Sequence, residues 1–249
     1  MTSEPAVPES VPARVASDGG VMPLVDHLAE LRNRIVWSIA AIAIGTLLGF
    51  LVSERAIVLL AEPLPTKQPL VTFGVGDAFA IRLRISVIIG VILAMPVILW
   101  HIWRFVAPGL SASERRAVLP WIPAALVMFA IGVGIAYIIL PFAAQFLLSF
   151  QTPELQALLS AREYFDFVSS LFLAFGILME FPVLLVGLSR VGIVTSQRLS
   201  RSRRYVALGI AVFSAIATPG GDLVSPTVLG FTLYALFELT ILVIRRGGR

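Results

Sequence analysis

Long apolar runs separated by short polar stretches organise this chain from residue 23 onward. Leu24, Leu28, Leu31 and Ile35 recur at spacings of four, three and four, with Asp26, Glu30, Arg32 and Arg34 between them. That periodicity predicts a short amphipathic helix at a membrane surface, running straight into an apolar span over 35–52. Further spans are expected over 79–100, 118–140, 167–188, 205–217 and 226–244. The segment 53–77 holds a short apolar piece (57–60) with Pro63, Pro65 and Pro69, and reads as a compact, ordered loop. Arg82 and Arg84, near the start of the second span, are expected to snorkel to the interface. A loop over 141–163 leads into the fourth span, and a basic segment over 190–204 follows it. The run 205–217 covers only about 20 Å as a helix, against a hydrocarbon core of about 30 Å. The run 226–244 is barely long enough and opens on Pro226. Thr218-Pro219-Gly220-Gly221 between them predicts a tight turn, so the two form a short helical hairpin. Such a hairpin thins the bilayer locally or is shielded by a partner helix.

The expected fold class is therefore all-α: a polytopic membrane protein with six transmembrane helices, the last two short. Residues 1–22 are rich in Pro, Ser, Ala and acids, without an apolar run, and are expected to form a disordered leader rather than a signal peptide. Residues 23–244 form the membrane domain and 245–249 a basic tail.

Composition confirms the class. Mean hydropathy is +0.93, with 58% hydrophobic and 14% charged residues, where soluble domains carry about 25% charged. With no cysteine and only two histidines, His27 and His101, neither a disulfide framework nor a His-rich metal site is expected. Of the 19 basic residues, Arg55, Lys67, Arg82, Arg84 and Arg162 flank one side of the spans and all the others flank the opposite side. That asymmetry predicts cytoplasmic N- and C-termini. It also explains the net charge of +4 without nucleic acid. Trp37, Trp100, Trp103 and Trp121 fall at the arginine-rich ends, as an interfacial belt does. The two halves differ in loop and span lengths, against an inverted-repeat transporter.

Catalytic chemistry is absent from the sequence. There is no Walker A loop, HExxH or GxSxG elbow, and Asp222 stands alone in a loop, whereas an intramembrane aspartyl protease needs two facing aspartates. No catalytic residue, cofactor or metal is expected. The unusual acid is Glu180, near the middle of the fourth span and two residues before Pro182, which removes a backbone donor. An acid at such a depth costs on the order of 3 kcal/mol when ionised. It is either a functional group facing water, such as a proton relay in a secondary transporter, or a neutral acid hydrogen-bonded to a neighbouring helix. Gly176, one turn earlier, is expected to leave room for a neighbouring backbone or water. At the arginine-rich side stand Glu30 and Glu114, whose carboxylates suit a guanidinium ligand. Each also has a local explanation: an i,i+4 ion pair with Arg34, and a capping box in Ser111-Ala-Ser-Glu114.

The motif His27-Leu-Ala-Glu30-Leu-Arg32-Asn-Arg34 resembles the N-terminal signature of the TatC family, the multi-spanning receptor subunits of the twin-arginine protein translocase. Pro63 in Glu-Pro-Leu, Met95-Pro96-Val97-Ile98, Trp103 through Pro108-Gly-Leu, and Ser113-Glu114-Arg115-Arg116 are similar to further family segments. So are Phe175-Gly176, Glu180-Phe-Pro182-Val183, Thr218-Pro219 with Asp222, and Tyr234 to Glu238. The resemblance implies that Glu30, Arg32, Phe105 and Glu114 form a cytoplasmic site for twin-arginine signal peptides of folded precursors. It implies that Glu180 faces an intramembrane cavity and that the last two helices, with Thr218, Asp222 and Glu238, dock single-span TatA and TatB partners. Export driven by the proton-motive force, self-association and a bacterial-type cytoplasmic membrane location complete the expectation. This chain departs from the family at Gly220-Gly221, where a second proline is common, and at Pro226, where many members carry Gln.

Overall fold

The computed structural model describes residues 24–64, 69–150, 158–190, 192–217 and 223–246. The leader, Pro65, Lys67, the turn over 218–222 with Thr218 and Asp222, and residues 247–249 of the tail lie outside them.

The first helix, α1 (Leu24–Ala61), is a single 38-residue rod of about 57 Å at 1.5 Å per residue. The amphipathic segment, the span and the 57–60 piece, expected in a loop, are one helix. Ser53, Glu54 and Arg55 end the apolar run, yet none of them breaks a helix, and the next proline is Pro63. Helix α2 (Asp77–Val106) returns antiparallel beside it. Glycines set the distance between the two. A Cβ at Gly45 would lie 2.6 Å from the Gly90 carbonyl oxygen, and one at Gly49 would lie 2.6 Å from that of Ser86. Inside lipid there is no hydrophobic drive between helices, so close backbone approach at small residues supplies the packing energy.

After a 3-10 turn (Ala107–Gly109) comes the short α3 (Ala112–Val118), then α4 (Trp121–Leu148). The third span thus begins after a break at Leu119-Pro120 and continues through Pro141 to Leu148, beyond its expected end. Pro141 is carried inside α4, as membrane helices tolerate where neighbouring groups re-satisfy the backbone. The fourth span is two helices, α5 (Ala161–Leu178) and α6 (Phe181–Arg190), parted at Met179-Glu180. Within the basic segment, α7 (Ser196–Arg201) is capped by Thr195, whose hydroxyl accepts from the Arg198 amide. Then come α8 (Arg203–Ala217) and α9 (Val224–Arg246). The fifth crossing is short at 15 residues, about 22 Å. The sixth gains residues at both ends of its apolar run to reach 23.

Helix α5 is the centre of the bundle, with α2, α4, α8 and α9 packed around it. Phe165, Val168, Leu171 and Phe175 from α5, Leu140 from α4, Ile85 from α2, and Leu229, Phe237 and Ile241 from α9 are all buried in one cluster. Gly132 of α4 is pressed against the Phe175 carbonyl, and the space beside Gly176 is filled by the Phe129 ring rather than left open. α1, α2, α4, the α5–α6 pair, α8 and α9 make six transmembrane crossings, and five of these are long and apolar enough to span a full bilayer. Among the described residues there is no β-strand, only an isolated bridge between Val71 and Ser160.

That bridge ties down the arginine-poor end. The Val71 amide donates to the Leu159 carbonyl at 2.9 Å, and the Ala161 amide to the Val71 carbonyl at 2.9 Å. The Asp77 carboxylate accepts from the amides of Gly74 (2.7 Å) and Phe73 (3.2 Å) and pairs with Arg162 at 3.3 Å. Pro63 closes the end of α1, where the Leu60 carbonyl, orphaned by the helix terminus, accepts the Tyr164 hydroxyl at 2.5 Å. Arg82 and Arg84 both find partners on neighbouring helices, Arg82 partly buried and Arg84 at the exposed surface. Arg82 Nε donates to Ser53 Oγ at 2.9 Å and lies 4.7 Å over the Phe50 ring, while Arg84 pairs with Asp166.

Candidate functional site

At the arginine-rich end, the start of α1 meets the end of α2. His27 stacks on Phe105 with ring centroids 4.3 Å apart and planes 13° from parallel. One turn further along α1, Glu30 Oε1 accepts from Arg34 Nη2 at 2.7 Å, the i,i+4 pair its spacing predicts. The pair is sheltered, with Arg34 16% and Glu30 18% exposed. Glu30 Oε2, Arg34 Nε, His101 Nδ1 and Trp103 Nε1 are all buried without a hydrogen-bond partner. Arg32 points out and is exposed.

Glu114 lies on α3, beyond the 3-10 turn that follows Phe105. Its Oε2 accepts from the Ser111 amide at 2.9 Å and the Ser111 hydroxyl at 2.7 Å, which completes the capping box. Arg115 from the same helix reaches back to lie 5.3 Å over the Trp103 ring, which itself stacks on Trp100 at 5.0 Å. The structure therefore joins the turn of helix carrying Glu30 to Phe105 through His27, and ties α3 to the end of α2 through Arg115. Both carboxylates are held in the local contacts expected of them, and Glu30 retains one buried oxygen without a partner. His27 is a contact residue outside the sequence expectations; its position three residues before Glu30 puts it on the same helical face, but no spacing points to Phe105.

Glu180 sits at the break between α5 and α6. Pro182 cannot donate to the carbonyl four residues back, and the first α6 bond runs from the Leu184 amide to the Glu180 carbonyl at 3.0 Å. The side chain is partly buried and its Oε1 has no hydrogen-bond partner. Below it, toward the arginine-rich end, Pro182, Val183 and Val186 line an apolar groove of about 410 Å³ shared with α4 and α9.

Glu238 on α9 is paired with Arg203 at the start of α8 (2.7 Å) and accepts from the Tyr234 hydroxyl at 3.3 Å. These contacts pin the arginine-rich end of the α8–α9 hairpin, so Glu238 already has a structural role there. Among the described residues no group of three or more His, Cys, Asp or Glu is placed to hold a metal ion.

Comparison with known proteins agrees with this architecture. A family profile described as "Sec-independent protein translocase protein (TatC)" matches residues 26–231. Among curated relatives, the TatC protein of Desulforapulum autotrophicum is 35% identical over 232 residues, covering 91% of this chain and 86% of that protein. TatCy of Bacillus subtilis is 35% identical over 231 residues, covering 92% of this chain and 91% of its own length. A crystal structure of a "Twin Arginine Translocase Receptor- TatC" superposes with a TM-score of 0.77 at 34% identity, covering 90% of this chain and 100% of that one. The chain belongs to the TatC family of Sec-independent protein translocase proteins, a family of translocase components rather than enzymes.

Proposed function

We propose that this protein is the receptor and core subunit of a twin-arginine translocase. It binds Arg-Arg signal peptides of folded precursors and recruits single-span TatA- and TatB-type partners for export driven by the proton-motive force. It lies in a bacterial-type cytoplasmic membrane with both termini cytoplasmic, so the arginine-rich end faces the precursor. The leader (1–22) and basic tail (245–249) flank the membrane domain on that side.

Glu30 carries the reading. It is a sheltered carboxylate with one unpaired oxygen, beside the His27–Phe105 stack and at the end of the protein where a precursor arrives. A buried carboxylate oxygen left without a hydrogen bond is costly, and a guanidinium offers the carboxylate the bidentate partner that an ammonium cannot. Glu114 supplies a second carboxylate, Phe105 an aromatic face for the peptide's apolar flank, and Arg32 a charge at the rim. Glu180 faces the membrane cavity, where a partner helix or the apolar part of the signal peptide packs. The short α8 needs a covering helix, and Thr218, Asp222 and Glu238 mark the hairpin that receives it.

Photocrosslinking tests this. A benzophenone residue placed in turn at Leu28, Arg32, Phe105 and Ser113 should capture a twin-arginine peptide and release it to excess unlabelled peptide. Crosslinks confined to the arginine-poor end, or retention of a small solute in place of peptide and partners, would refute the receptor reading.

A further inference from the structure

The Glu30–Arg34 pair poses a difficulty for a site that takes arginine. The carboxylate is already occupied at Oε1 by a guanidinium of this same chain. A bidentate fork needs both oxygens, and only Oε2, itself buried, is without a partner. Exposed positive charge at this end opposes a dicationic peptide. Arg32, Arg104, Arg115 and Arg116 stand exposed at this end, and Arg34 neutralises the nearest carboxylate.

From these contacts we infer that Arg34 is an internal stand-in for the first arginine of the signal peptide, holding Glu30 until a peptide guanidinium displaces it. This rests on the receptor reading and adds a competitive gate to it. Three features fit an exchangeable partner rather than a fixed strut. First, Arg34 grips by one nitrogen only, and its Nε is buried without a partner. Second, its neighbour across the hairpin is ill suited to hold it. The register set by Gly45–Gly90 and Gly49–Ser86, continued along the pair, puts Arg34 level with His101. His101 lies within the field of the Arg34 and Arg104 charges, and its Nδ1 is unpaired. Third, the flexible stem of an arginine lets the guanidinium swing out to the membrane interface when released. Exchange of one guanidinium for another keeps Glu30 compensated throughout, so the buried carboxylate is never left alone.

The test uses the full-length chain in nanodiscs and a fluorescent synthetic peptide carrying Arg-Arg before an apolar segment. Arg34→Gln should bind the peptide about tenfold more tightly than wild type, a change of ~1.4 kcal/mol. Adding Glu30→Gln to Arg34→Gln should abolish that gain. Arg104→Gln, which removes an equal charge from the same end, should change affinity by less than about twofold, within the range of an exposed charge. Should Arg34→Gln fail to fold, Arg34→Lys provides the same comparison with a smaller gain, because an ammonium holds one oxygen and is displaced more easily. Unchanged or weaker binding by a folded Arg34 variant, with wild type still binding, would overturn the gate and leave the receptor intact. Peptide binding by neither wild type nor variant would remove both.

Discussion

Replacing Gly45 by alanine would separate the two long helices that carry the candidate site. The added Cβ would sit 2.6 Å from the Gly90 carbonyl oxygen and 3.0 Å from its Cα, both backbone atoms that no rotamer change can move. C–H···O contacts begin at about 3.3 Å, so the helices must part by roughly 0.7 Å at this point. Gly49 meets the Ser86 carbonyl at the same 2.6 Å one turn later, so the separation cannot be absorbed locally and spreads along the hairpin. Overpacking of this kind costs about 1–3 kcal/mol, against which the better helix propensity of alanine returns at most about 1 kcal/mol. Gly134→Ala is the control, because a Cβ there meets nothing within 4 Å. Size-exclusion chromatography of heated, detergent-solubilised protein should show Gly45→Ala losing its monodisperse peak several degrees below wild type, with Gly134→Ala at or above it. If Gly45→Ala is as stable as Gly134→Ala, the backbone contact does not hold α1 to α2.

Three further outcomes are expected. Asp77→Ala removes the acceptor for two backbone amides and the partner of an exposed Arg162; a loss of about 1–3 kcal/mol should appear as a lower melting point and protease cleavage between α1 and α2, and unaltered melting would count against this anchor. Inserting several leucines after Ala217 lengthens the 15-residue α8 toward a full span; single-span partners should no longer co-purify while peptide binding persists, whereas wild-type recovery of partners would place docking elsewhere. Because the chain has no cysteine, Glu180→Cys carries a single thiol; it should react with a water-soluble maleimide from one side of the membrane, and Glu180→Ala should block export while sparing peptide binding. Inaccessibility from both sides together with normal export by Glu180→Gln would leave Glu180 a structural hydrogen-bonding group.

The number and order of crossings were legible because hydropathy reports burial in lipid directly. Helix ends were less so, since hydropathy marks where lipid stops and not where a helix stops. Ser53-Glu54-Arg55 leaves the membrane without leaving α1, and the segment from Pro141 to Leu148, expected in a loop, stays inside α4. The break at Glu180 was half visible: Pro182 announced a lost donor, yet whether the helix kinks or divides depends on what surrounds it. Local pairs were readable from spacing, as Glu30–Arg34 and the Ser111–Glu114 cap show. Contacts between distant segments, such as Arg84–Asp166, Arg203–Glu238 and His27–Phe105, have no signature in spacing. The Gly45-x-x-x-Gly49 pattern was available as a helix-packing signal, and the structure gives it its partner in Gly90.

The most direct measurement of the central claim is the affinity of the Arg-Arg peptide for the Glu30→Gln, Glu114→Gln double variant, reconstituted beside wild type. Each carboxylate replaced should cost about 1.5–3 kcal/mol, the scale of a hydrogen bond to a charged group. Replacing Arg-Arg by Lys-Lys in the peptide should weaken binding to wild type in the same direction. The expected result is a folded, membrane-inserted double variant with peptide binding reduced by two orders of magnitude or more, each tenfold step being about 1.4 kcal/mol. Wild-type affinity in that folded variant would contradict the assignment of the site.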